Sequence, residues 1–342
     1  MTDIRSLSQG ELEDLLTQWG QPRYRAGQLF DWLHKKGADS FAEMKNLPSA
    51  LREQLAGECF IATAAVERKL VSQLDGTVKY LFRLRDGEMV EGVVMRYKHG
   101  LSICLSTQVG CKMGCSFCAS TLAGFVRSLT AGEMLAQIYT ASRDLGERIG
   151  NVVLMGIGEP LDNYEQVLRF IRNVTSPKGL DLSPRHITLS TCGLCDQIRR
   201  LADEQLPITL SISLHAPFDE MRDRLMPVNR RYNIAQLLDA CRYYAEKTGR
   251  RVSFEYTLIA GVNDTPACAD RLAQLCRGFL SHVNLIPVNA VEETGYTHGS
   301  EREIRAFQER LVRQGVNATV RRTLGADISA ACGQLRRQEQ HN

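Results

Sequence analysis

The chain has no run of about 18 consecutive apolar residues, the length a helix needs to cross a bilayer. No membrane partner is therefore expected. The opening MTDIRSLSQGELEDLL also lacks the basic, apolar and small-residue order of a secretion signal, so a cytoplasmic location is expected. A strong excess of one charge is missing too. Lys and Arg number 42 against 39 Asp and Glu, and a net charge of +3 does not by itself define a polyanion-binding surface. Residues 1–100 carry as many acidic as basic side chains. Internal repeats, low-complexity stretches and long linkers are absent, which excludes solenoids and arrays.

Cysteine, by contrast, is plentiful, with eleven in 342 residues. Without a secretion signal, that content points to reduced thiols rather than a disulfide scaffold. Four of the eleven fall between positions 104 and 118. The length and the 44% hydrophobic content suffice for one large domain and a small one.

Residues 1–57 read as a small helical domain. Ser8 and Glu11 form a capping box, with Leu7 and Leu12 as a hydrophobic staple, and Leu12, Leu15, Leu16 and Trp19 recur at helical spacing. A second run follows Pro22 with Ala26, Leu29, Phe30 and Leu33 on one face, and a third follows Pro48 with Leu51 and Leu55. Residues 58–101 read as a β-rich connector, in which Val78, Tyr80, Phe82 and Leu84 alternate with polar residues after the turn at Asp75-Gly76. From 102 to 320 strand and helix alternate six times. The expected strands are 102–107, 151–156, 185–190, 208–214, 251–259 and 282–288, with helices such as 131–145, 164–174 and 267–279 between them. Apolar runs of this kind suit parallel strands buried on both faces. A closed eight-unit barrel takes about 250 residues, so a partial, TIM-like (β/α)6 barrel is expected. Residues 321–342 form a C-terminal segment.

The sharpest motif is Gly110-Cys-Lys-Met-Gly-Cys-Ser-Phe-Cys118, which puts Cys111, Cys115 and Cys118 on one C-x3-C-x2-C loop after the first barrel strand. Three thiolates fill three corners of a four-iron cluster, whose usual complement is four cysteines. The open corner would take the amino and carboxylate groups of S-adenosylmethionine (SAM). A structural zinc with a distant fourth ligand is the other reading, although zinc ribbons generally pair one C-x2-C with a second.

This spacing, Phe117 before the last cysteine, and the six-unit α/β region resemble the radical SAM superfamily. Within it, ICLSTQVGCKMGCSFCAS, MGIGEPLDNY, SISLHAP, MPVNRRYN and IPVN resemble, in order and over nearly the whole chain, the RlmN-type adenine methyltransferases. That family methylates carbon-2 of an adenine in bacterial 23S ribosomal RNA, at the peptidyl-transferase centre, and in tRNA. Cfr-type enzymes, which modify carbon-8, share most of these motifs. Carbon-2 lies between two ring nitrogens and is electrophilic, so a polar methyl transfer has nothing to attack and the cofactor must supply radical chemistry.

The resemblance implies a 4Fe-4S cluster bound by Cys111, Cys115 and Cys118 and two SAM molecules per turnover. It implies that Cys332 accepts a methyl group from the first SAM. Cys104 would resolve the protein–RNA adduct through a transient disulfide, and Glu91 would accept the proton. Val90, Val93 and Val94 around Glu91 would push its carboxyl toward basic usefulness. For each of these three residues the structural alternative is a core thiol or a solvated glutamate. SAM contacts are expected at strand ends, from Gly158, Glu159, Ser190, Ser213, Leu214, His215 and Asn289. Cys192 and Cys195 form a C-x2-C read as incidental, and Cys59, Cys241, Cys268 and Cys276 read as core.

The implied partners are 23S rRNA, tRNA and an external electron donor such as a flavodoxin or ferredoxin, with the chain a monomer. The target adenine must leave its stack to be reached. Arg127, Arg230, Arg231, Arg321, Arg322, Arg336 and Arg337 are candidate phosphate contacts, and residues 1–57 a candidate RNA-docking module. A non-catalytic RNA-binding protein with a structural metal is the remaining alternative.

Overall fold

In a computed structural model of the chain, residues 1–122, 124–278, 280–288, 295–328 and 330 are described. At the N-terminus, β1 (Thr2–Asp3) is followed by α1 (Gln9–Gln18), α2 (Tyr24–His34) and α3 (Ser49–Glu58), and then by β2 (Cys59–Phe60), which pairs in parallel with β1. The capping box forms as expected. Ser8 Oγ accepts from Glu11 N at 3.3 Å and Glu11 Oε2 accepts from Ser8 N at 2.7 Å. Leu12, Leu16, Ala26, Leu29, Phe30, Leu33, Leu51 and Leu55 close a separate small core, with Leu15 and Trp19 at its edge.

Three antiparallel strands follow, β3 (Ala64–Val71), β4 (Val78–Leu84) and β5 (Met89–Tyr97), leading to β6 (Gly100–Cys104). A short antiparallel pair, β7 (Gln108–Gly110) and β8 (Phe125–Ser128), then encloses the cysteine loop. The alternation continues as α4 (Ala131–Leu145), β9 (Ile149–Leu154), α5 (Tyr164–Val174), β10 (Ile187–Thr191), α6 (Cys195–Asp203) and β11 (Thr209–Ser213). It ends with α7 (Asp219–Leu225), α8 (Ile234–Thr248), β12 (Val252–Leu258), α9 (Pro266–Leu275), β13 (Ser281–Pro287), α10 (Glu301–Arg313) and β14 (Ala318–Val320).

The sheet runs β14-β13-β12-β11-β10-β9-β6-β5-β4-β3. Its strands from β6 to β14 are parallel and in sequence order, so the six expected β–α units are present. The main departure lies at the two edges. The β-rich connector joins the barrel sheet itself, since β5 pairs with β6 and prolongs that sheet by three strands. A further parallel strand, β14, extends the other edge. β4 also departs from the expected polar alternation. Lys79 and Leu81 are as buried as Tyr80 and Phe82, since both faces of the strand are covered.

The N-terminal helices lie against the outer helices of the barrel. Ser6 Oγ accepts from Gly132 N at 2.7 Å, Asp3 Oδ2 from Thr130 Oγ1 at 2.8 Å, and Ser6 O from Asn173 Nδ2 at 3.1 Å. Gly132 is required at this joint, because a Cβ there would lie 2.4 Å from Asp3 Oδ2. Among the described residues no helix is long and apolar enough to cross a membrane.

Candidate active site

The cysteine loop leaves the end of β7 through Gly110, whose φ of +78° puts it in the left-handed region. A Cβ at that position would lie 1.7 Å from Gly124 O, the carbonyl that accepts from Cys111 N at 3.2 Å. The loop's other end is folded by Thr121, whose Oγ1 donates to Cys118 O at 2.9 Å. Its middle is tied to α7, where Ser116 N donates to Leu225 O at 3.0 Å. Cys111, Cys115 and Cys118 are partly exposed, whereas Cys192 and Cys195 are buried. Cys192 shares an apolar cluster with Cys115, Phe117, Leu225 and Met226, and Cys195 Sγ donates to Gly193 O at 3.6 Å.

The donor set fits an iron–sulfur cluster better than a lone zinc ion. Among the described residues no three His, Cys, Asp or Glu side chains are gathered closely enough to hold one metal ion. A structural zinc needs four ligands converging on a point. A four-iron cluster takes one sulfur at each of its corners, so its ligands lie apart. Burial, together with neighbouring Cys118, Glu159 and Asp162, pushes the Cys111 thiol up to about 11, and burial raises Cys115 further.

Among the residues expected at the strand ends, His215 meets Phe117 of this loop and Glu159 lies near Cys111, and several are held by bonds within the protein. Gly158 has φ +109°, and a Cβ there would lie 2.6 Å from Gln108 Cβ. The close approach that demands glycine is to Gln108. Glu159 is buried, and burial pushes its carboxyl up against the bonds that lower it. Its Oε1 accepts from Leu161 N at 3.0 Å and its Oε2 from Cys192 N at 2.7 Å, so both oxygens already hold the loops. Ser190 is buried within β10, and Ser213 ends β11. The carbonyls of Ser213 and Leu214 accept from Arg222, at 3.1 Å each, rather than standing free.

His215 adopts φ +55°, and its Nδ1 accepts from Thr257 N at 2.9 Å. A backbone N–H can only donate, so the imidazole is neutral with its proton on Nε2. Burial and the nearby Arg222 charge lower its pKa to about 3. Its ring meets Phe117 edge-on, with centroids 4.9 Å apart. Asn289 lies outside the described residues, as do Cys332, Arg336 and Arg337.

Glu91 and Cys104 come together on one face of the sheet. Cys104 ends β6 and pairs in register with Val93, two residues from Glu91. The same face is covered by the chain's last described part, where Leu324 and Ala330 pack on Val93, Met95 and Cys104. The surroundings of Glu91 are not purely apolar as expected. Lys79 Nζ lies 3.1 Å from Glu91 Oε2, with both side chains fully buried. A lysine between two apolar strand residues reads as solvated in one dimension, and only the β4–β5 pairing brings it to Glu91.

Among the candidate phosphate contacts, Arg127 is already committed. It donates to Glu133 through two nitrogens at 2.8 Å each and to Asp86 at 2.7 Å. Arg230, Arg321 and Arg322 are exposed, and exposed Arg231 stands 3.9 Å from Asp196. Sequence reasoning missed Gln108, Arg222 and Glu255. Glu255 interrupts an apolar strand, which was the available signal. It accepts from Ser211 Oγ at 2.5 Å and Asn284 Nδ2 at 2.7 Å.

An open, mostly parallel sheet with a three-cysteine loop over the C-terminal ends of its strands defines a radical SAM enzyme, and residues 105–269 match the radical SAM superfamily model. Residues 2–61 match the N-terminal domain of ribosomal RNA large subunit methyltransferases. The chain is 54% identical, over 99% of both chains, to the probable dual-specificity RNA methyltransferase RlmN of Alkaliphilus oremlandii. It is 51% identical to that of Lachnospira eligens, over 98% of this chain and 96% of the other. The crystal structure of a radical SAM methyltransferase from Sphaerobacter thermophilus superposes with a TM-score of 0.93 at 45% identity, over 98% and 99% of the two chains. This chain belongs to the RlmN family of radical SAM RNA methyltransferases.

Proposed function

We propose that the protein methylates carbon-2 of adenine in 23S rRNA and in tRNA, through a methylated Cys332, consuming two SAM molecules per turnover. Cys111, Cys115 and Cys118 would hold the cluster. When bound, the cluster and SAM supply a carbon-centred radical by reductive cleavage of the sulfonium. The chain's own part is positioning and proton handling. Cys332 carries the one-carbon unit to the base as a thioether. Once the methylene has added to carbon-2 and the surplus electron has left the adduct, Glu91 takes the proton from carbon-2. Cys104, as the thiolate, attacks the Cys332 sulfur, and the S–S bond forms as the carbon–sulfur bond breaks. The released methylene carbon takes up a proton to become the methyl group, and the external reductant returns the disulfide to two thiols. An external low-potential donor such as a flavodoxin or ferredoxin delivers the electrons. The protein works as a monomer in the cytoplasm, and residues 1–57 dock the RNA.

The observation that supports this reading best is the shared face of Glu91 and Cys104, lined by Leu324 and Ala330 on the stretch of chain that leads toward Cys332. Mass-spectrometric mapping of modified adenines in RNA from cells lacking the gene tests it. Loss of 2-methyladenine is expected, and loss of an 8-methyl product instead would assign the Cfr-type activity. Cys104→Ala is expected to accumulate a covalent RNA–protein species, while Cys332→Ala should retain full iron and transfer no methyl group.

A further inference from the structure

Arg222 is a fully buried charge that the methyl-transfer reading leaves without a task. Its side chain is fully buried, yet no carboxylate among the described residues reaches ion-pair distance. All its bonds go to neutral oxygens. Nε donates to Leu214 O at 3.1 Å, Nη1 to Asn229 Oδ1 at 3.0 Å, and Nη2 to Cys192 O at 2.7 Å and Ser213 O at 3.1 Å. The nearest acids stand one residue further out. Asn229 Nδ2 donates to Asp219 Oδ1 at 3.1 Å and Asp223 Oδ1 at 2.8 Å, so an amide separates them from the guanidinium. A buried ion without a counter-ion costs several kcal/mol, and a fold keeps one where something else supplies the opposite charge.

That charge is on the other side of a thin apolar wall. Arg222 lies on α7, whose last residue, Leu225, accepts from Ser116 N in the middle of the cysteine loop. Leu225, Met226 and Cys192 pack directly with Cys115 and Phe117. We infer that Arg222 is the protein's built-in counter-ion for the metal cluster, set behind the loop to ease its one-electron reduction. Three thiolates outweigh the positive charge of the iron–sulfur core, so the cluster would already be anionic and reduction would add one more negative charge, while the guanidinium keeps its own. Arg222 is thus a positioning residue that acts through the field, and the apolar wall keeps that field from being screened by water. The inference rests on the cluster reading above.

The test is a redox titration of the reconstituted holoenzyme with dithionite and mediators, following the reduced cluster by electron paramagnetic resonance. Arg222→Gln, with iron content equal to wild type, should lower the equilibrium constant for one-electron reduction at least tenfold, about 59 mV in midpoint. Arg222→Lys, which keeps the charge, should stay within about threefold of wild type on the same scale. Should Arg222→Gln fail to fold, Asn229→Asp sets a carboxylate against the guanidinium and must lower the midpoint in the same direction. An iron-replete Arg222→Gln or Asn229→Asp titrating with wild type, or Arg222→Lys shifted as far as Arg222→Gln, overturns the inference. A wild-type chain that takes up no iron defeats the cluster reading instead.

Discussion

Lys79 and Glu91 face each other across the β4–β5 hairpin with Nζ and Oε2 3.1 Å apart, and neither side chain reaches solvent. Breaking a buried pair from one side leaves an ion in a low-dielectric site, at a cost of about 3–5 kcal/mol, whereas removing both charges costs far less. Lys79→Met should therefore destabilise the chain in urea by about that amount, and Lys79→Met with Glu91→Leu by clearly less. Equal losses from the single and double variants would show that the pair does not act as a pair.

Gly110 gives a second prediction. Its φ is left-handed, and a Cβ there would stand only 1.7 Å from Gly124 O, so the backbone leaves no room for a side chain. Gly110→Ala must push apart the β7–β8 pair and break the Cys111 N to Gly124 O bond, a backbone cost of about 1–3 kcal/mol. Iron and sulfide per chain after anaerobic reconstitution should fall well below wild type, with the far-ultraviolet circular dichroism unchanged. Full iron loading would mean that the hairpin does not shape the loop.

These two sites mark the limit of what the sequence makes legible. The cysteine triplet and the six β–α units are readable because their signals are local, in spacing for the loop and in apolar runs for the strands. The Lys79–Glu91 pair depends on a hairpin register, and Arg222 on carbonyls from the ends of two different strands. Neither partner choice is written in a one-dimensional pattern. Gly158 shows the same limit from another side. Its position after β9 is readable, but the Gln108 side chain that forbids a Cβ there belongs to β7. β14, at three residues, is too short to announce itself at all.

The segment beyond β14 is pinned by two carboxylates. Asp327 accepts from Ser72 Oγ at 2.6 Å and Gln73 N at 2.8 Å, and Asp75 Oδ2 accepts from Gly325 N at 2.8 Å. The Gly325 bond, followed by those from Thr77, lowers the Asp75 carboxyl to about 2, and Ser72 lowers Asp327. A carboxyl depressed in the folded state contributes above its unfolded value, about 3.9, and loses that contribution as pH falls through the folded value. Amide protection factors within residues 324–328 should therefore fall, and pepsin cleavage there should rise, between about pH 4 and pH 2, ahead of global unfolding. Asp327→Asn should bring the same release at neutral pH, and unchanged protection in that variant would remove Asp327 from the clasp.

Two buried histidines add to the loss of stability as pH falls. His34 donates or accepts through Nδ1 with Tyr139 Oη at 2.9 Å, its Nε2 is buried without a partner among the described residues, and burial followed by the Arg5 charge lowers its pKa to about 3. His215 is lowered to the same value by burial followed by Arg222. In the unfolded chain both protonate near pH 6.5, so between about pH 6.5 and pH 3 the unfolded state binds more protons and stability falls with pH. Each histidine contributes a slope of about 1.4 kcal/mol per pH unit across that window. Urea midpoints measured between pH 7 and pH 5 should show it, and His34→Gln should remove one histidine's share of the slope whatever it does to stability at pH 7. A slope unaltered by that substitution would mean that His34 takes up its proton in the folded chain, which its place between Phe30 and Tyr139, beside the Arg5 charge, opposes.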